Sequence, residues 1–222
     1  MAEYMAASEQ RRRTIIRDCK YRAIARILQH DEAKAAVSKF IRDADDESDY
    51  LVKRAQELRD HYALSDFERD TLDVNADYIE RFNEVCDKID WPDCYVEAPG
   101  PAKSIDMNGV QVSPEIYFRF SRTTKTNKQR VGAGTLRYAK GKTLPKNVAE
   151  WQSAFLFGYL TEDTAVGGAD PEFKLCLTVD AYAGVAHSAP SNSVSRFKNM
   201  QAACASIAER WPNIAPPPGA IF

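Results

Sequence analysis

Three histidines, five cysteines and ten glycines are all that 222 residues hold of the types most often recruited to metal sites, disulfides and phosphate loops. His30, His61 and His187 have no ligand-like spacing to one another or to a cysteine, which excludes the common zinc arrangements. Cys19, Cys86, Cys94, Cys176 and Cys204 are odd in number and widely scattered, so the expected state is reduced thiols and the expected location cytoplasmic. No Gly-rich phosphate loop, His-Glu-x-x-His, Cys-x-x-Cys or Gly-x-Ser-x-Gly motif occurs. Long apolar runs are missing as well: the longest, around Ala154–Leu160, falls far short of the ~20 residues that span a bilayer. Met1-Ala2-Glu3-Tyr4 lacks the basic-then-apolar layout of a secretory signal. Neither sign of charge dominates, with 30 Lys/Arg against 32 Asp/Glu, which excludes a histone-like polycation. A 44% hydrophobic content excludes a wholly disordered or collagenous chain and is enough for a real core.

What is present changes character near residue 91. Residues 1–90 carry 16 Lys/Arg and 21 Asp/Glu, a net of −5; residues 91–222 carry 14 and 11, a net of +3. Ala33, Ala36, Val37, Phe40 and Ile41 fall on one helical face, Leu51, Ala55, Leu58 and Tyr62 on a second, and Tyr78, Ile79, Phe82, Val85, Cys86 and Ile89 on a third. Ser65-Asp66-Phe67-Glu68 matches a capping box, and the acidic stretch 43–49 reads as a linking turn. Trp91-Pro92 and Ala98-Pro99-Gly100-Pro101 are dense in breakers. Beyond them the period is two: Asn108-Gly109 suits a type I′ hairpin, Ile116, Phe118 and Phe120 alternate with polar neighbours, and Thr135–Lys140 reads as a returning strand after a polar loop 123–129. Asn147–Leu160 reads as a buried helix, a Gly-Gly loop follows, Phe173–Asp180 alternates as a strand, and Val194–Trp211 makes a last amphipathic helix before a Pro-rich tail at 216–219. The predicted fold class is α+β: a helical region, 1–90, followed by a β-β-β-α-β-α domain, 91–222, with a mostly antiparallel sheet.

The most distinctive feature is one of charge. From Ile116 to Ala149 there is no acidic residue but nine basic ones: Arg119, Arg122, Lys125, Lys128, Arg130, Arg137, Lys140, Lys142 and Lys146. Alternation sends Ile116, Phe118, Phe120, Leu136 and Tyr138 to the core face and Tyr117, Arg119 and Arg137 to the other, with Lys125, Lys128 and Arg130 at the tip. A basic ribbon can track a phosphate backbone because each cation displaces a condensed counterion, and an exposed Tyr117 adds a stacking surface. Against this stands a plainer reading, a solvated basic hairpin or one docked on the acidic half of this or another chain. A second basic stretch, Arg11, Arg12, Arg13, Arg17, Lys20, Arg22 and Arg26, has an apolar side from Ile15, Ile16, Ile24, Ile27 and Leu28, and reads as a surface helix ahead of a nucleic-acid arm or a membrane-surface helix. Asp180, followed by His187 and Ser188, suits an acid–base pair but more simply caps a turn.

Glu115-Ile116-Tyr117-Phe118, then Leu136-Arg137-Tyr138-Ala139-Lys140, then Trp151-Gln152-Ser153-Ala154 resembles the layout of RecB-like PD-(D/E)xK nucleases over about 80 residues. The resemblance implies a divalent-metal site built from Glu115 and Lys140 with Gln152 in support. The chain departs from the pattern at Tyr138, which stands where the second acid belongs, so the implied copy is catalytically degenerate. The expected function is therefore a non-catalytic binding or assembly component whose hairpin residues Tyr117, Arg119, Arg122, Lys125, Lys128, Arg130 and Arg137 contact nucleic acid or an acidic protein surface. The alternative is a metal-dependent nuclease-like enzyme with a rearranged site. No cofactor, resident metal or membrane partner is expected, and a homo-oligomer is allowed.

Overall fold

A computed structural model describes residues 1–21, 30–43, 49–162 and 168–217. Five helices come first: α1 (Ala2–Ala6), α2 (Glu9–Lys20), α3 (Asp31–Arg42), α4 (Tyr50–Asp60) and α5 (Asp66–Val85). Strands β1 (Tyr95–Glu97), β2 (Ile105–Met107), β3 (Val110–Val112), β4 (Phe118–Thr123) and β5 (Gln129–Arg137) follow, then α6 (Lys146–Glu162), β6 (Asp170–Asp180), β7 (Val185–Ser188) and α7 (Ser193–Arg210). The fold is α+β, with a mixed, mostly antiparallel five-stranded sheet in the order β1-β4-β5-β6-β7 and a separate β2–β3 hairpin.

The helical region forms as its stripes and caps require. Ser65 accepts the Glu68 N–H at 3.2 Å, and the Glu68 carboxylate accepts the Leu64 N–H at 2.7 Å, which satisfies two free donors at the start of α5. Helix α3 lacks a side-chain cap of its own; buried Asn75 of α5 supplies one by accepting the Ala33 N–H at 2.9 Å while its amide donates to the Thr71 carbonyl. Val37, Leu51, Leu58, Tyr78, Ile79 and Phe82 then share one core with Phe118, Phe120, Leu136, Leu177 and Val179 of the sheet. The change of pattern near residue 91 thus separates element types, while the core runs across it. On the opposite face Ala133, Cys176, Phe155, Leu156, Leu160, Phe197 and Met200 pack together, so the sheet lies between α3–α5 and α6–α7.

Several sequence expectations need correction. The returning strand runs Gln129–Arg137 and not Thr135–Lys140, because Thr124–Lys128 closes a tight turn with Asn127 at φ 57° and Ala139–Lys142 closes another with Gly141 at φ 73°. Ile116 leaves the Phe118 face and joins the α6 side, since regular pairing begins only at Phe118. Both faces of β6 are covered, so Cys176 and Thr178 are as buried as Leu175 and Val179; alternation there marks the two cores and not solvent. Strands β1 and β7 lie in stretches to which the sequence pattern assigned no strand. Trp151 is half-buried beneath the Arg196 guanidinium, 4.7 Å from its ring, whereas Leu156, Tyr159 and Leu160 of the same helix are fully enclosed. Arg22, Ile24, Arg26, Ile27 and Leu28, the acidic turn at 44–48, the first glycine of the Gly-Gly pair and the end of the Pro-rich tail lie outside the described residues.

The Asn108-Gly109 turn has the expected positive φ at both positions, 52° and 87°. Gly134 answers a different need. A Cβ there would lie 1.8 Å from the Phe118 ring, so the cross-strand position must be empty for that ring to reach the core.

Candidate functional site

The acid-free stretch of sequence is not an acid-free surface. Glu97 stands directly opposite Arg119 in the β1–β4 ladder. Glu172 of β6 takes Arg122 in a two-point ion pair, and Asp170 takes Arg130 at 2.9 Å. Lys140 is paired with Asp77 of α5, the docking onto the acidic half that the plainer reading describes. The Asp77 carboxyl is held below its usual range, since Lys140 and Arg59 outweigh the opposing effect of partial burial. Lys125, Lys128, Lys142 and Lys146 form no ion pair among the described residues. Tyr117 is half-buried, with the Lys34 ammonium 5.2 Å from its ring centre, and its face is occupied by that cation.

Concave geometry lies at the other end of the hairpin. β5 and β6 are the parallel pair of the sheet, joined by α6, and Arg137 is aligned with Asp180 at their carboxyl ends. In open α/β arrangements that edge is where connections splay apart and leave a crevice. Here it holds a cavity of about 440 Å³ lined by Arg11, Arg137, Lys142, Thr143, Asn147 and Asp180, among others. A second, of about 410 Å³, is lined by Glu115, Gln152, Arg137, Ser113, Tyr4 and Cys19 with apolar neighbours. Glu3, Ile15, Arg137 and Val148 belong to both, so the two are halves of one groove with α1 lying across it.

The charges of this groove are unevenly available. Asp180 is 2% exposed, and its oxygens accept backbone N–H groups of Leu144 at 2.7 Å, Tyr182 at 3.0 Å and Ala183 at 3.1 Å. It therefore caps turns, and the acid–base pairing with His187 gives way to this role. Burial lowers the His187 pKa despite the nearby Asp180 charge. Glu115 receives the Lys34 ammonium at 3.2 Å and the Tyr117 hydroxyl at 3.4 Å. Burial works against the Lys34 ammonium, but its bonds to Tyr117 and Glu115 prevail and raise its pKa. Arg137 donates to Glu3 at 2.8 Å, a pair with both side chains more than a third exposed.

The structure brings Glu115 and Gln152 to one cavity but leaves Lys140 outside it, turned to Asp77. Arg137 takes the basic position. By strand alternation Thr135 shares the face of Ala133 and Arg137, so a hydroxyl stands two residues before the cation; its oxygen is buried without a hydrogen-bond partner among the described residues. Among the described residues no three His, Cys, Asp or Glu side chains gather as a metal-binding group. Also among them, no helix is long and apolar enough to cross a membrane. Sequence reasoning missed Glu3, Lys142, Thr143 and Asn147 as groove residues. The strand-helix-strand order over 129–180 was the available signal, since such a unit implies a parallel pair and a crevice at its carboxyl end. No protein-family model, curated protein or solved structure matches the chain.

Proposed function

We propose that the chain is a non-catalytic binding component for nucleic acid, which holds phosphates in the groove at the carboxyl ends of β5 and β6, with Lys125 and Lys128 at the hairpin tip as a second contact. The observation that carries this reading is the donor set of the groove. Arg11, Arg137 and Lys142 come from α2, β5 and the turn after it and converge on one cavity with Thr143 and Asn147. Of the two carboxylates in that lining, Asp180 is engaged by three backbone amides and Glu3 is the exposed partner of Arg137. Guanidinium and ammonium groups with neutral donors between them suit phosphate oxygens. A binding role without cleavage is favoured because Thr135 precedes Arg137 where a second acid would help hold a divalent cation, and Glu115 is already engaged by Lys34.

The test is fluorescence anisotropy with single- and double-stranded DNA and RNA across a salt series. Arg137→Ala and Lys142→Ala should each weaken binding and lower the salt slope by about 0.7–0.9 per lost phosphate contact. Absence of binding at low salt removes nucleic acid and leaves an acidic protein surface as the partner. One observation favours the nuclease-like alternative, namely that Glu115, Gln152 and Arg137 line the same cavity. Cleavage in Mg²⁺ or Mn²⁺ that is lost in Glu115→Ala would establish it.

A further inference from the structure

Helix α1 is an odd occupant of the groove. Five residues are far too few for a helix to hold itself together in water, so tertiary contacts keep it there. Tyr4 is buried and Met5 packs against the α6–α7 core, yet cavities of about 440 and 410 Å³ remain on its two sides. Its ion pair to the sheet is Glu3 on Arg137. Other polar ties run to α2: Arg12 donates to the carbonyls of Tyr4 and Met5 at 2.9 Å each. Helix α2 is fixed at its far end, where the Lys20 ammonium reaches the carbonyls of Trp211, Pro212 and Ile214 and the Tyr21 hydroxyl donates to Ile214. Helix α2 is thus anchored away from the groove and joined to α1 by an extended Ala7–Ser8 link at the groove's mouth.

We propose that α1 is a displaceable cover over a phosphate-binding groove, with the Glu3 carboxylate resting on Arg137 where a phosphate oxygen of the ligand goes. The inference rests on the reading of the groove as a phosphate site. Once Glu3 leaves, Arg11, Arg137 and Lys142 remain in the cavity lining with the amide-bound Asp180 as the carboxylate, so the groove takes an anion in exchange. A phosphate oxygen matches the carboxylate it replaces, since both accept parallel N–H bonds from a guanidinium. Neutral or cationic ligands gain nothing from the exchange. The ligand's apparent affinity is therefore reduced by the fraction of molecules in which the cover is closed.

The experiment uses the full chain and an oligothymidylate as probe, with anisotropy for affinity and hydrogen–deuterium exchange for the cover. Glu3→Gln should tighten binding about two- to fivefold, the change expected from removing a competing, partly exposed ion pair. Glu9→Gln makes the same change in net charge on α2, where Glu9 pairs with Arg13 and Arg210, and should leave affinity as it was. Exchange in residues 1–7 should rise when the oligonucleotide binds. Binding by Glu3→Gln where the wild type shows none would also support the cover. If the oligonucleotide binds but Glu3→Gln behaves like Glu9→Gln, or exchange in residues 1–7 stays level or falls, the cover is overturned and the nucleic-acid reading stands. If neither wild type nor Glu3→Gln binds at low salt, both are overturned together.

Discussion

The two ends of the β4–β5 hairpin carry similar residues in opposite circumstances. At the tip, Arg122 and Arg130 are matched by Glu172 and Asp170 of β6, while Lys125 and Lys128 belong to the turn. At the open end, Arg137 is set into a groove and matched by Glu3, from a short helix that does not belong to the sheet. At the tip, the acids that answer the cations belong to β6 itself: Asp170 is in register with Arg130, and Glu172 stands at the register shift that follows Val131. At the open end the answering acid sits on a separate, short element. A cation contributes to ligand binding according to how easily its present partner can be exchanged, and by that measure the two ends differ far more than their sequences suggest.

The most drastic way to break the comparison is to remove the strand pairing that both ends share. Phe118→Ala empties a fully buried site facing Gly134 and should cost about 3–5 kcal/mol, read as a fall in the denaturant midpoint with tip and groove lost together. Loss of one end alone would show that the hairpin is two independent pieces.

A gentler test sets the two ion pairs against each other in double-mutant cycles. The Arg122–Glu172 pair is two-pointed, with Glu172 only 19% exposed, and should couple by about 1 kcal/mol in thermal or chemical unfolding. The Arg137–Glu3 pair is one-pointed and more exposed, and its coupling should lie nearer ~0.2–0.5 kcal/mol. Reversal of that order would mean that α1 is built into the fold as firmly as β6.

The smallest expected effect is one of pH. Burial lowers the pKa of both His30 and His187 in the folded chain, so the unfolded chain binds more protons on acidification. Stability is therefore full above the ordinary histidine value of about 6.5 and declines as pH falls through it toward the lower folded values. His187→Gln should flatten part of that decline near the groove end and leave the tip ion pairs untouched.

Much of the fold was legible because its signals are local. The α3 stripe, the α4 stripe as far as Leu58, the Ser65 capping box, the Asn108-Gly109 turn and the near-continuous apolarity of α6 each rest on residues a few positions apart, whereas Tyr62, read as part of the α4 stripe, lies beyond the helix end at Asp60 and is exposed. The ion pairs of the basic stretch were not legible for the opposite reason: Glu172 is 50 residues from Arg122, and Asp77 is 63 from Lys140. No window along the chain brings those charges together. Lys140 was misassigned because the turn at Ala139–Lys142 lifts it off the strand, and Arg137 takes its place beside Glu115 and Gln152. The groove itself escaped notice because Glu3 and Arg11 come from one end of the sequence and Asp180 from the other.

The core that joins α3–α5 to the sheet has a consequence for the chain as it is made. Val37, Ile79 and Phe82 leave the ribosome long before Leu177 and Val179, the strand residues that share their core. At ordinary synthesis rates of ~5–20 residues per second, the interval between the end of the helical region and the end of β6 is roughly 5–20 s. During that time the helices can pack on one another, yet the face that will meet the sheet stays wet. A nascent chain stalled between α5 and β6 therefore keeps exposed the apolar face that Leu177 and Val179 later cover.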